Sequence, residues 1–390
     1  MSTPTMPAVG MVFVVRKLQL ATLLVLTCLW LPGNLAKAQE TPENLVLVTL
    51  DGVRWQEVFG GVDLALIEDK RFTSEPEILK KKYWHEQEIL RRKQLFPFLW
   101  SVIESHGVLI GDRNRGSRID VSNDWWFSYP GYNEILTGRA DPAIDSNDKL
   151  WNPNVTFLET LNGMEEFNGR VLAFGSWDVF PYIINTERSG LPVNAGFAIA
   201  TPAQTERTEW LNEVSAEAPS LWSTVRADFL TNGYATEALQ SQTPRVVYIA
   251  FGETDDFAHD GSYDRYVDAA YRTDKMLAKL WNWLQATPSY RDRTTLIITT
   301  DHGRGHTPED WTSHASPLDA ARQMTGSDPD GIPGSNEIWL AAIGPHIRTT
   351  GLVKGHWKQS QIAATALASL QLEPAQLMPQ ADKAIAEILQ

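Results

Sequence analysis

Cysteine is almost missing from this chain. The single one, Cys28, lies in an apolar stretch near the N-terminus. Once that stretch is removed, neither a disulfide nor a thiolate metal site can form. A basic excess is missing too: 34 Lys and Arg stand against 48 Asp and Glu, for a net charge of −14. That balance disfavours a nucleic-acid polymer or an anionic membrane as partner. The N-terminal apolar run, Leu18 to Leu31, is short for a membrane span of roughly 20 residues. Internal repeats, low-complexity tracts and clear linkers are absent. What remains is ordinary globular composition, 43% hydrophobic and 21% charged, with an unusual 15 Trp. A chain of 390 residues can bury a core without covalent staples.

The N-terminus has the parts of an export signal: Arg16-Lys17, then the apolar run, then Ala36-Lys37-Ala38 as an A-x-A cleavage site that leaves Gln39 first. The stretch before Arg16 is long for such a signal, so Met6 or Met11 also qualifies as the start. Thr27 before Cys28 fits a lipoprotein attachment site poorly. The expectation is a signal peptide over 1–38 and a periplasmic or secreted mature chain with no stable membrane span after cleavage. Residues 39–390 then form a single domain.

Apolar runs rich in β-branched residues recur at 44–50, 108–112, 170–174, 244–251, 294–300 and 337–343. Helical patterns lie between them, at 96–106, within 120–138, at 155–161, 263–285 and 359–370. Strands alternating with helices predict an α/β fold with a largely parallel central sheet and helices on both faces. A charged segment at about 62–95, with helical spacing around Ile78, Trp84 and Ile89, is expected as an exposed helical insertion; 189–219 reads as a peripheral excursion.

Chemistry-bearing residues cluster where the runs end, the edge at which a parallel sheet delivers side chains. Asp51-Gly52 closes the first run; alone, such an Asp either ligates a metal or caps a turn. Asp255 and His259 are spaced i,i+4, which on a helix aims a carboxylate and an imidazole at one metal. Asp301-His302 follows a later strand directly, and His306 and His314 in the next loop are both able to complete a site. Carboxylate and imidazole without thiolate favour Zn²⁺, Mn²⁺ or Fe over Ca²⁺. Two such cations can hold a phosphoryl group between its attacking and leaving oxygens. The nucleophile candidate is Ser128, in Ser128-Tyr-Pro-Gly-Tyr-Asn133 before a helix whose N-terminus suits an anion; its alternative role is an N-cap. Trp125, Trp126 and Trp177 flank this segment and suit either stacking or core packing, and Arg170 and Arg188 are cations that could reach a phosphate.

In their order, Asp51-Gly, the Ser128 run with its Leu-Thr-Gly end, Asp255-x-x-x-His259 and Thr-Asp301-His302-Gly resemble the alkaline phosphatase superfamily. The branch they resemble is that of the nucleotide pyrophosphatase/phosphodiesterases and related phosphatases, over about 44–370. The resemblance implies a metal-dependent phosphoric ester hydrolase with two divalent ions, zinc first. Asp255, His259 and His314 would hold one ion, with His306 the second choice to His314. Asp51, Asp301 and His302 would hold the other, bridged by Ser128, which forms a phosphoseryl intermediate that water then cleaves. Asn147 falls where that branch keeps a phosphate-binding Asn. The substrate implied is a small phosphate ester, monoester or diester.

The chain departs from the branch in having Ser128 for the usual Thr, Gly131-Tyr132 after the proline, and Ala258 before His259. Ser128-Tyr-Pro-Gly-Tyr132 lacks the final Arg of the sulfatase maturation pattern, which ranks sulfatase below phosphoesterase. A phosphomutase or phosphotransferase on the same metals and a non-catalytic exported binding protein are the remaining alternatives.

Overall fold

The runs at 44–50, 246–251 and 294–299 have no polar face, as suits strands covered on both sides. Every residue in them is buried. The computed structural model describes residues 43–319 and 330–390; the expected leader, with Cys28 and the Ala36-Lys37-Ala38 site, lies outside the described residues. Numbered along the chain, the strands are β1 (Asn44–Leu50), β2 (Gly107–Ile110), β3 (Ser117–Asp120), β4 (Val171–Gly175), β5 (Val193–Ala195) and β6 (Val246–Phe251). They continue with β7 (Thr294–Thr299), β8 (Glu337–Ile338), β9 (Leu340–Ile343), β10 (Gly351–Leu352) and β11 (Gly355–Lys358).

Among the described residues, eight strands form one sheet in the order β10-β2-β9-β7-β1-β6-β4-β5, and β11-β3-β8 form a second, smaller one. In the large sheet β7, β1, β6, β4 and β5 are mutually parallel, while β9 runs antiparallel to both β7 and β2. The central register pairs Leu50 with Phe251 and Thr49 with Thr299. Three strand ends therefore finish level with one another. Alternate residues of β1 face two cores. Val46, Val48 and Leu50 pack with Tyr234 and Leu239 of helix Asp228–Gln242 and with Tyr266 and Leu277 of helix Tyr263–Ala286. Leu45 and Leu47 pack with Ile135 and Leu136 of helix Ser128–Thr137 and with Ile362 and Leu367 of helix Gln361–Ser369. Each fully buried aliphatic side chain contributes about 1.5–3 kcal/mol, so both faces anchor the strand ends. The expected α/β sheet covered on both faces is what the chain forms. Among the described residues no helix is long and apolar enough to cross a membrane.

Three local expectations are corrected. The 337–343 run is two strands in different sheets: β8 pairs with β3, β9 with β2 and β7. The crossing residue, Trp339, is buried and donates its indole N–H to Val53 O at 2.9 Å. Gly107 ends the helical stretch before it and also opens β2, where a Cβ would clash with Ala342 O on β9. The 62–95 segment contains short helices at Leu64–Glu68, Pro76–Tyr83 and Glu88–Leu95. Their buried positions are Leu66, Ile67, Leu79, Tyr83, Arg92 and Leu95, whereas Ile78 and Ile89 are about half exposed at 49% and 48%. A tertiary partner fixes that rotation: Tyr83 donates to Asp268 Oδ1 at 2.6 Å. The excursion at 189–219 is not wholly peripheral, since it supplies edge strand β5.

Asp274, on helix Tyr263–Ala286, is buried and accepts the backbone N–H groups of Phe98 and Leu99 at 2.8 and 3.1 Å. Burial pushes its carboxyl up to about 7, against the two hydrogen bonds. The folded state thus holds this proton more tightly than the unfolded chain does. Its contribution is fully present below about pH 4 and is lost as pH rises toward 7, by at most about 1.4 kcal/mol per pH unit. Asp274→Asn keeps an acceptor and has no proton to lose. Its stability in denaturant titrations should therefore gain on wild type steadily between about pH 4 and about pH 7; a constant difference would refute the assignment.

Candidate active site

The level strand ends put Asp51, helix Glu253–His259 and Asp301-His302 beside one another. Asp51 is not a turn cap: Tyr132 donates to its Oδ2 at 2.8 Å, and its buried Oδ1 lies 3.3 Å from His302 Nε2. Asp301 Oδ1 accepts Gly52 N–H at 3.1 Å, and its buried Oδ2 lies 3.5 Å from the same His302 nitrogen. Neither Asp51 Oδ1 nor Asp301 Oδ2 makes a well-formed hydrogen bond among the described residues. His302 Nδ1–H donates to Gly303 O at 2.9 Å, which leaves Nε2 as the nitrogen facing the two carboxylates. Two unsatisfied carboxylate oxygens and an imidazole nitrogen facing one buried space form a donor set that fits a divalent cation.

The second group adjoins it. On helix Glu253–His259, Asp255 Oδ2 lies 3.3 Å from His259 Nε2. His314 Nε2 lies 3.2 Å from His259 Nε2 and 3.9 Å from Asp255 Oδ1. Asp255, His302 and His314 offer ligand atoms close enough to share one ion, and the His302 and His314 rings are 3.9 Å apart. His306 is elsewhere, its Nε2 2.7 Å from Glu337 Oε2.

The charges answer to this crowding. Burial, then neighbouring Asp255, raises the Asp51 carboxyl; burial, then Asp51, raises Asp301 well above its usual range. Burial lowers His302, but Asp301, Asp51 and Asp255 outweigh it and lift the imidazole to about 9. Burial also works to raise Asp255, yet Arg304 and His259 hold it well below the carboxylate range. Burial and the cationic His302 keep His314 neutral. Without a cation these groups share too few positive charges for three acids.

Ser128 opens helix Ser128–Thr137; the N-cap is Phe127, so the hydroxyl does no capping. Its Oγ lies 3.4 Å from His302 Nε2. The helix enters this close because residue 131 is glycine: a Cβ there would meet Asp301 O at 2.4 Å. The approach is fixed by buried Glu134, which accepts Ser122 and Asn123 N–H groups at 3.0 and 2.9 Å. Asn147 is exposed and its Oδ1 accepts Tyr129 N–H at 2.9 Å. Trp125 is buried, and Trp126 and Trp177 pack on the core. Arg188 is held by Glu159 at 2.8 Å, and Arg170 lies by Thr243 O at 3.4 Å, beyond the N-terminal end of β4. The structure thus brings together Asp51, Ser128, Asp255, His259, Asp301, His302 and His314, with Asn147 beside Tyr129, but not Arg170 or Arg188.

Several residues of this centre escaped the sequence reading. Tyr132 was visible only as part of the Ser128 run. Gln359 donates to Asp301 O at 2.6 Å, and Thr254 to Asp51 O at 2.6 Å. Arg304, fully buried against Asp255, sits two residues after His302. A cation set between two glycines directly after Asp301-His302 was the one available signal for it.

Two substitutions probe this arrangement. Tyr132→Phe should weaken metal binding about 10–100-fold, as loss of a ligand's supporting bond does, read by competition with a chromophoric chelator. Asp301→Asn keeps an acceptor for Gly52 and removes one of the crowded charges. At neutral pH it should stabilise the metal-free protein by about 1–3 kcal/mol in denaturant titrations, while abolishing the stabilisation that added metal gives.

The sequence model of one family, described as type I phosphodiesterase/nucleotide pyrophosphatase, matches residues 121–376. No curated protein sequence matches the chain. Similar solved structures include wild-type alkaline phosphatase PafA, at TM-score 0.56 and 12% identity, covering 90% of this chain and 99% of that one. Murine ectonucleotide pyrophosphatase/phosphodiesterase 5 is similar at TM-score 0.52 and 11% identity, covering 89% and 100%. A 2-O GAG sulfatase is similar at TM-score 0.52 and 12% identity, covering 89% and 74%. At such identities these structures speak for the fold, and the family match speaks for the chemistry. This chain belongs to the type I phosphodiesterase/nucleotide pyrophosphatase family, a hydrolytic branch of the metal-dependent alkaline phosphatase superfamily.

Proposed function

We propose that this protein hydrolyses small phosphate esters through Ser128, with two divalent cations, zinc first, held by the two carboxylate–imidazole groups. The observation that carries this reading is Ser128 Oγ at a helix N-terminus, 3.4 Å from His302 Nε2, against two buried carboxylate oxygens without hydrogen bonds. Asp51, Asp301 and His302 would hold one ion, shared with Ser128; Asp255, His259 and His314 would hold the other. Bound cations would lower the pKa of the serine hydroxyl and stabilise charge on the attacking and leaving oxygens.

The chain's own groups do the rest. Ser128 Oγ attacks phosphorus in line, an Oγ–P bond forms and the bond to the leaving oxygen breaks. Water later cleaves the phosphoserine and returns the hydroxyl. Asn147 commits its Oδ1 to Tyr129 N–H. That leaves its Nδ2 as a donor for a non-bridging oxygen, where transition-state charge is spread. Tyr132 and Gly52 orient Asp51 and Asp301. The Ser128-Tyr-Pro-Gly-Tyr132 run without a final Arg keeps the unmodified serine, and so phosphate rather than sulfate esters. The leader at 1–38 supports action in the periplasm or outside the cell.

Ser128→Ala should abolish release of product from a paired panel of phosphate monoesters and diesters, a fall of about 100-fold or more, while both metal equivalents remain bound. Turnover undiminished by the substitution would remove the covalent step. Transfer of phosphate to added alcohol in place of hydrolysis would make the enzyme a transferase.

A further inference from the structure

Arg304 is among the largest fully buried side chains in the molecule, and its environment differs from that of the other buried arginine nearby. Arg54 has its charge met by Glu57, which it grips through Nε and Nη2, and it spends Nη1 on Gly305 O at 2.9 Å. For Arg304, among the described residues, the one carboxylate within ion-pair distance is Asp255. Nη2 donates to Asp255 Oδ1 and also to Asp255 O at 3.1 Å. Nη1 donates to Thr312 O at 2.8 Å, two residues before His314. The guanidinium lies directly beneath Gly52, the residue after Asp51. A Cβ at Gly52 would stand 2.8 Å from Arg304 Nε and 2.8 Å from Asp255 Oδ1. One side chain therefore touches three segments that carry metal-ligand candidates, and its own backbone follows His302.

The fork also sorts the two oxygens of Asp255. Oδ1, 3.9 Å from His314 Nε2 and 3.7 Å from His302 Nε2, is taken by Arg304, while Oδ2 stays 3.3 Å from His259 Nε2. We infer that Arg304 is a positioning residue that makes Asp255 a one-oxygen metal ligand through Oδ2 and ties it to the loop that delivers His314. A carboxylate free to use both oxygens would add a ligand to its own ion, or reach with Oδ1 toward the ion beside His302, whose Nε2 is 3.7 Å away. Either would fill a coordination position that catalysis needs open. A lysine cannot reproduce this, because a point charge cannot span Asp255 and Thr312 together. The inference rests on the two-metal reading above.

The test is metal binding, without substrate. Wild type, Arg304→Met and Arg304→Lys are titrated with Zn²⁺ against a chromophoric chelator, and each is loaded with Co²⁺ for its visible spectrum. Wild type should bind two equivalents. Arg304→Met should bind one of them about 10–100-fold more weakly, and its Co²⁺ absorption should fall as the ion beside Asp255 gains a ligand. Arg304→Lys should show the same spectral change with a smaller loss of affinity. If Arg304→Met does not fold, the lysine variant carries the test alone. Wild-type affinity and spectrum in the variants would overturn the inference while leaving the two-metal reading intact. So would lost affinity with an unchanged spectrum, which would mark Arg304 as support for the fold alone. A wild-type protein that binds no metal would overturn both.

Discussion

Three carboxylates brought into one buried space form the constraint on which the rest of the structure depends. Asp51, Asp255 and Asp301 converge with His302 where β1, β6 and β7 end level, and water is largely excluded. Left alone, such a cluster would push its members apart or force protons onto them, as the raised carboxyls of Asp51 and Asp301 show. It survives because two hydrophobic cores, one on each face of the sheet, hold the strand ends in register at a far larger total free energy. The instability of the site and the solidity of the sheet are thus parts of one arrangement. The scaffold maintains a concentration of negative charge that bound metal would relieve.

Around that charge, neutral and cationic groups each remove one degree of freedom. Tyr132 and Gly52 fix Asp51 and Asp301 through single hydrogen bonds. Gln359 and Thr254 hold the backbone carbonyls of the same two residues. Glu134 gathers the turn before Ser128, so the helix that presents the serine arrives at a set height above His302. The close contacts need glycine at two points. Gly131 lets the helix touch Asp301, and Gly52 lets a guanidinium lie against β1. Gly131 has ordinary helical backbone, so the close approach alone calls for glycine there, whereas Gly52 is also left-handed, at φ +60°.

Much of this was legible beforehand, for definite reasons. Unbroken apolar runs such as 246–251 and 294–299 have one reading, a strand covered on both faces, and the carboxylates that end them inherit a position. Helix spacing likewise placed Asp255 and His259 on one face. The errors arose where a distant partner decided. Tyr83 turned its helix toward Asp268, leaving Ile78 in solvent. Trp339 broke an apparent single strand because the chain changes sheets there.

By itself the sequence determined the alternation of strand and helix and which carboxylate, imidazole and hydroxyl side chains stand at the strand ends, because these are local properties of composition and spacing. Which histidine stands with Asp255 was decided only in three dimensions. His306 and His314 share a loop, and the fold turns one toward Glu337 and the other toward His259. The same holds for Arg304, whose role exists only where Asp255, Thr312 and Gly52 meet. The physical reason is that a ligand's type is written in its own residue. Its distance from another ligand is set by strand register and core packing, which sum contributions from the whole chain.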